Sequence, residues 1–226
     1  KMADLKQHFN EVAENYDATI EKNLVNYNQM IEALINAIPD NESPRILDLG
    51  CGTGNITKKV LERFPNGKVT CFDLSEKMIE IAKEKLSDYD NIEYVIGDFT
   101  IIDIIDKYDA IISSLALHHI PNNQAKKDMY QHIYDSLYEG GVFYNADVIK
   151  ANSDYNIILN ERMTSKYMKE NGCTDEDIET FKKNRNNNDV PITLMEHIKL
   201  LEEVGFKEID VLWKYYSNAV YGGTKK

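Results

Sequence analysis

Residues 46–54 read Ile-Leu-Asp-Leu-Gly-Cys-Gly-Thr-Gly, and this stretch decides the fold. The apolar run over 45–49 reads as a strand, and glycines at 50, 52 and 54 make a turn. From Asn55 to Phe64 apolar residues recur at helical spacing. A strand feeding a glycine turn and a helix lets a ligand approach the backbone closely and aims helix N–H groups at it. The spacing selects the ligand. A dinucleotide turn, G-x-G-x-x-G, wants its third glycine at position 55, which is Asn55. Here Asp48 stands two residues ahead of Gly50, and a carboxylate there repels a pyrophosphate but suits a ligand with an ammonium and a sulfonium. S-adenosylmethionine (SAM) is such a ligand.

Working outward, strands and helices alternate. Strands are predicted over 45–49, 68–73, 92–96, 108–113 and 141–148, with helices over 55–64, 75–86 and 122–138 between them. That order predicts an α/β, doubly wound, mostly parallel sheet covered on both faces. Ser75 ahead of Met78, Ile79 and Ala82 is a helix cap, and Gly140-Gly141 is read as the end of the helix before the fifth strand. Two helices (4–16 and 27–37) precede the alternation, within an N-terminal helical region over 1–40. Across 151–191 the alternation stops: helices over 154–171 and 175–185 and a loop at 186–189 predict a helical lid over the carboxyl edge of the sheet. A helix over 193–204 follows. Strands at 207–213 and 215–222, joined by almost nothing, must pair antiparallel, so the sheet ends in an edge hairpin.

The chain of 226 residues reads as a single domain over 1–226, long enough for a core without metals or disulfides. Its net charge of −12 argues against a nucleic-acid partner, since phosphate binding needs a basic face. Three cysteines, Cys51, Cys71 and Cys173, read as reduced thiols and point to a cytoplasmic protein. No leader and no apolar run near the length of a membrane span is visible, so no membrane partner is expected. Lys1 ahead of Met2 reads as an added residue.

Three strand ends carry chemistry. Asp73, 19 residues past Gly54, ends the second strand and suits two ribose hydroxyls. Asp98 and Phe99 follow the third strand, where an acid can accept from an adenine amino group while a ring covers the base. After the fourth strand, Ser114 and Leu115 fall where a ligand can be lined, and His118 is placed as a general base near neutral pH. Asn145 and Asp147, on one face at the end of the fifth strand, are acceptor-side candidates, with Asp147 taken as catalytic alongside His118. No metal is expected, because adjacent histidines point apart and no further His or Cys lies close to His118-His119 in sequence. Fourteen tyrosines include Tyr16, Tyr27, Tyr155, Tyr167, Tyr215, Tyr216 and Tyr221 in variable segments. Such rings attract cations, though filling half-buried positions is the commoner role.

Taken together, Asp48/Gly50/Gly52/Gly54, Asp73, Gly97-Asp98, Leu117-His118-His119 and Glu203-Val204-Gly205-Phe206 resemble the class I SAM-dependent methyltransferases. The resemblance covers nearly the whole chain. It includes Phe9 to Asp17, similar to the F-D-x-V-A-x-x-Y-D start of small-molecule members. It implies a seven-stranded sheet whose last strand is antiparallel, SAM as cofactor, and Tyr16 near its methionyl end. The implied activity is in-line methyl transfer to a small molecule; a monomer or homodimer is expected, with nothing in the sequence to choose between them. The N/D-P-P-Y/F turn of the enzymes that methylate nucleic-acid amino groups is replaced by Ser113-Ser114-Leu115-Ala116. Alternative readings are a non-catalytic SAM-binding or regulatory protein, and a methyltransferase acting on protein or tRNA.

Overall fold

A computed structural model of the chain describes residues 2–226; Lys1, read above as an added residue, lies outside them. Strand β1 (Arg45–Leu49) sits at the centre because it is apolar on both faces, and every residue after Arg45 is buried. Its period of two sends Ile46 into one apolar layer and Leu47 and Leu49 into the other. Parallel to it run β2 (Lys68–Asp73) on one side and β4 (Tyr108–Ser114) on the other. Beyond them lie β3 (Ile92–Ile96) and β5 (Leu137–Val148). The hairpin β6 (Lys207–Tyr215) and β7 (Asn218–Thr224) completes the order β3-β2-β1-β4-β5-β7-β6. Strand β7 is antiparallel to both β5 and β6, so the seven-stranded sheet with a C-terminal edge hairpin is the one expected.

Helices cover both faces. In one layer α3 (Tyr27–Asn36), α4 (Asn55–Arg63) and α5 (Glu76–Lys85) bury Leu34, Val60 and Ile79 with Ile46 and Val69. In the other, α6 (Asn123–Asp135) and α9 (Leu194–Val204) bury Ile133 and Leu201 with Leu47 and Phe143. Ser75 caps α5 by accepting from Met78 N, as its sequence position predicts. The remaining helices, α1 (Met2–Val12), α2 (Tyr16–Asn23), α7 (Asp154–Glu170) and α8 (Asp175–Asn188), lie outside these two layers.

Four boundaries differ from the sequence reading. The predicted helix 4–16 is interrupted by a 3-10 turn at Ala13–Asn15 and resumes as α2. Helix α6 stops at Asp135, and Gly140-Gly141 belongs to β5: β4 pairs Tyr108 with Leu137 but Ala110 with Val142, so Gly140, at φ +80°, sits in a bulge and not at a helix end. The run Asn186-Asn187-Asn188 is the last turn of α8, whose Thr174–Asp177 capping box fixes its start. The terminal hairpin turns at Tyr216-Ser217, leaving Tyr215 on β6.

Candidate active site

The strand order reverses beside β1, and there the carboxyl ends of β1, β2 and β4 leave a crevice. The glycine turn is bound to β2: Gly50 and Cys51 N–H both donate to the Phe72 carbonyl, at 2.7 and 3.1 Å. All three glycines have positive φ. At Gly52 (φ +54°) a Cβ would meet no atom of the described residues within 4 Å, so the space beside the turn is open. Asp73 accepts from Gly52 N at 2.8 Å and from Ser75 N at 2.9 Å, which fixes its carboxylate at the rim of this space. Burial raises the Asp73 pKa against these hydrogen bonds.

A narrow cleft brings most of the expected cofactor residues together. Gly50, Gly52, Asp73, Asp98, Phe99 and Ser114 line it, and Tyr16 closes one side. Asp98 holds its own turn by accepting from Thr100 N at 2.9 Å and Thr100 Oγ1 at 2.6 Å. The Phe99 ring packs edge-on to Phe72. Two expected residues, Asp48 and Gly54, do not line the cleft. Asp48 is fully buried beneath the glycine turn, with one oxygen taking the Thr57 hydroxyl at 2.6 Å and the other without a hydrogen-bond partner among the described residues. Burial pushes its carboxyl up to about 7, opposed by that hydroxyl. Gly54 instead opens α4 at φ +81°, against Leu86 and Ala82.

Two helices close over the cleft. Asn10 on α1 accepts from the Ser75 hydroxyl at 2.6 Å. Asp17 on α2 takes the Thr53 hydroxyl at 2.5 Å and pairs with Lys85 at 2.6 Å. Sequence reading missed Asp17 as a latch on the glycine turn, although it stands in the segment beginning at Phe9. Of the singled-out tyrosines, Tyr16 lines this cleft, whereas Tyr27 and Tyr221 are core residues and Tyr215 and Tyr216 lie at the C-terminal hairpin. Burial, then Tyr27 and nearby carboxylates, raises the Tyr16 phenol far above its ordinary pKa.

On the other side of Phe9, Tyr16, Leu115 and His119 lies a cavity of about 800 Å³ between the N-terminal helices and α8. These four residues line both spaces. Leu115 holds a left-handed backbone (φ +54°) at this shared wall, a conformation that costs a non-glycine residue energy and is retained where surroundings impose it. Its N–H donates to the Ala146 carbonyl at 3.0 Å.

His118 lines the larger cavity, and Asp147 stands buried behind it. One Asp147 oxygen meets His118 Nδ1 at 2.5 Å while the other accepts from His118 N at 3.0 Å. Asn145 donates to Asp147 at 3.2 Å and to the Tyr221 hydroxyl at 2.9 Å. Buried Lys126 fastens the same turn, donating to the carbonyls of Leu117 and Ile120. His118 Nε2 faces Asp189 at 3.4 Å, and His119 Nδ1 lies 3.6 Å from the same oxygen. Burial alone lowers the His118 pKa, but the two carboxylates outweigh it and hold the ring at about 9. The carboxylates on both sides of the ring thus favour its protonated form, whereas the general-base role expected from the sequence needs the neutral ring. Burial and the neighbouring His118 charge push His119 down to about 4. His118 in turn overcomes burial to lower Asp147 and Asp189.

Asp189 is a second residue with no local signal in the sequence for its place in the site. It sits 70 positions from His119, just past α8, in the run 186–189 whose composition predicts a polar loop. The expected absence of a metal site rested on sequence neighbours alone. The structure brings His118, His119 and Asp189 together, with donor atoms within 4.8 Å of one another.

The family described as "Methyltransferase domain" matches residues 46–141. The chain is 32% identical over 139 residues to malonyl-(acyl-carrier protein) O-methyltransferase 1 of Ilyobacter polytropus, covering 61% of this chain and 49% of that protein. The chain thus spans about half the length of that relative. An uncharacterized methyltransferase of Alkaliphilus oremlandii is 31% identical over 161 residues, covering 68% of this chain and 72% of the relative. Among solved structures, Haemonchus contortus phosphoethanolamine N-methyltransferase 2, complexed with phosphomonomethylethanolamine and S-adenosylhomocysteine, superposes with a TM-score of 0.72 at 16% identity. That superposition covers 99% of this chain and 60% of the other.

Proposed function

Because the chain belongs to the class I SAM-dependent methyltransferase family, we propose that it transfers a methyl group from SAM to a small-molecule acceptor held in the larger cavity. The observation that carries this reading is the shared wall: a cleft built on the glycine turn meets a chamber of about 800 Å³ at Phe9, Tyr16, Leu115 and His119. The residues present fit the cofactor. Open space beside Gly52, and Asp73, Asp98 and Phe99 on one cleft, support a reading in which Asp73 takes the ribose hydroxyls and Asp98 with Phe99 the adenine. Asp48 keeps an unpartnered buried oxygen under the turn.

When bound, SAM supplies a methyl on a cationic sulfur, so the chemistry needs little from the protein beyond alignment. An acceptor that must lose a proton would release it to solvent or to a group lining the chamber. Orientation of this kind supplies about 7–11 kcal/mol in well-aligned systems. Asp147 is a positioning residue: its two oxygens fix the His118 turn, so Nε2 is the nitrogen presented to the chamber. Segment 151–191 acts as the lid, its α8 forming the chamber wall opposite α2. Closing it excludes water that would compete with the acceptor. A macromolecular acceptor is disfavoured by the net charge of −12 and by an acceptor space walled by helices.

The test pairs affinity with turnover. Wild-type protein should bind SAM in a calorimeter and label a component of a small-metabolite extract from methyl-labelled SAM. Asp73→Ala should weaken SAM at least about tenfold, since hydrogen bonds to a charged group are worth roughly 1.5–3 kcal/mol each. Tight SAM binding with no labelled product in any extract would support the non-catalytic alternative instead.

A further inference from the structure

We propose that His118, His119 and Asp189 form a seat for one divalent first-row transition ion in the wall of the acceptor chamber, the ion displacing the proton of His118 Nε2 to solvent while Nδ1 keeps its own toward Asp147. The use of the ion rests on the methyl-transfer reading; its binding does not. Four observations converge on the seat. His118 Nε2 and His119 Nδ1 lie 3.4 and 3.6 Å from the same Asp189 oxygen. Donors about 2.1 Å from a tetrahedral ion are spaced about 3.4 Å apart, so these separations need only small adjustments to admit one.

The second observation is the support behind the ring. Asp147 occupies His118 Nδ1 at 2.5 Å, which directs Nε2 to the chamber, and Asn145 and the Val148 N–H hold Asp147 in turn. A carboxylate behind a ligating imidazole fixes its orientation and raises its basicity. Third, the seat is built: the side chains of His118, His119 and Asp189 are only 7%, 11% and 11% exposed, yet all three line the chamber. An ion there would have protein on one side and open coordination positions on the side where the acceptor sits. Fourth, the donor set is specific. Two imidazoles and one carboxylate suit zinc, cobalt or ferrous iron, whereas magnesium and calcium prefer shells of oxygen.

Other groups face the same place. The Asn188 carbonyl is 3.1 Å from His119 Nδ1, and Arg185 Nε approaches the second Asp189 oxygen at 3.7 Å. The carbonyl is a fourth potential donor. Arg185 is the cation that stands beside the seat, and it leaves the first Asp189 oxygen to the two rings. The ion's role is to seat an oxygen or nitrogen atom of the acceptor opposite the cofactor cleft, across the wall that His119 shares with it.

The full chain, stripped with a chelator and dialysed, is titrated with Co²⁺ and Zn²⁺ in the absence of SAM. One equivalent of Co²⁺ should bind saturably and give visible d–d absorption without the intense near-ultraviolet band of a cobalt–thiolate, which excludes Cys51, Cys71 and Cys173 as ligands. Asp189→Ala, with folding checked by circular dichroism, should weaken Co²⁺ at least a hundredfold. Asp147→Asn should weaken it by about 10–100-fold, as loss of a supporting carboxylate does. Absence of saturable binding, a thiolate band, or unchanged affinity in Asp189→Ala would overturn the seat. SAM affinity on the same metal-free protein separates the two readings: no ion with normal SAM binding removes the seat and leaves the methyltransferase reading, and failure to bind SAM does the reverse.

Discussion

The sheet around the glycine turn and the roof that α7 and α8 make beside the larger cavity are built on different physics. In the first region, strands β1, β2, β4 and β5 are buried between two large apolar layers, and Gly50, Gly52, Asp73, Asp98, Phe99 and Ser114 line the cleft from strand ends or turns that follow them. The roof contains one small cluster of its own, Met168, Cys173 and Ile178 with Phe181 against it. It touches the N-terminal helices through sparse polar contacts, Tyr167 to the Glu21 carbonyl and Cys173 to Asn23. Segments with few buried apolar contacts open at low free-energy cost, and lids are drawn from them. The difference divides the molecule: the narrow cleft sits on the deep core, whereas the larger cavity is walled by a segment with little core of its own.

The sharpest way to break this division is Gly52→Val. The substituted side chain would fill the open space beside the turn, in a backbone conformation that a β-branched residue resists. SAM binding should fall below detection by calorimetry while circular dichroism stays that of the folded chain. Tight SAM binding by folded Gly52→Val would mean that the turn is not the donor site.

Replacing 151–191 with a short glycine–serine linker attacks the other region. Affinity for SAM should stay within a few-fold of normal, because no residue of that segment lines the cleft. Turnover should be lost, because the chamber loses α8 and Asp189. A folded replacement that still turns over would show that the segment is no lid, and an unfolded one that it is structural support.

The smallest effect concerns Asp48, which belongs to the sheet alone. Its carboxyl, normally at 3.8, is raised to about 7 by burial. A carboxyl raised in the folded state stabilises fully below its unfolded pKa, and that contribution is lost as pH rises through the folded value. Cofactor-free protein should therefore lose stability from Asp48 between about pH 4 and 7, by up to roughly 4 kcal/mol at 1.36 kcal/mol per unit. Asp48→Asn should flatten this loss, so its Tm above pH 7 should exceed the wild-type value by several degrees in a scanning-fluorimetry pH series. Identical pH profiles for the two proteins would refute the buried neutral carboxyl.

Much of the sheet half is written in short-range signals. Strand, glycine turn and capped helix are neighbours in sequence, so period, turn chemistry and the Ser75 cap give the elements from 45 to 86 with nearly their observed bounds. Errors arose where tertiary pairing overrode local preference. Gly140-Gly141 resembles a helix stop, yet pairing with β4 and β7 draws it into β5 as a bulge. Three consecutive asparagines resemble a loop, yet they complete α8.

By itself the sequence determined the alternating fold, the antiparallel end and the cluster of Gly50, Gly52, Asp73, Asp98, Phe99 and Ser114, because those residues sit at the ends of elements whose order sets their place at one edge. Only the tertiary structure decided that Asp48 lies under the turn, that Asp17 latches a helix onto it, and that Asp189 comes back 70 residues later to face two histidines. The reason is geometric. A periodic pattern says which face of an element is buried, but the partner that a polar group meets there depends on how separate elements pack, and nothing local in the chain encodes that meeting.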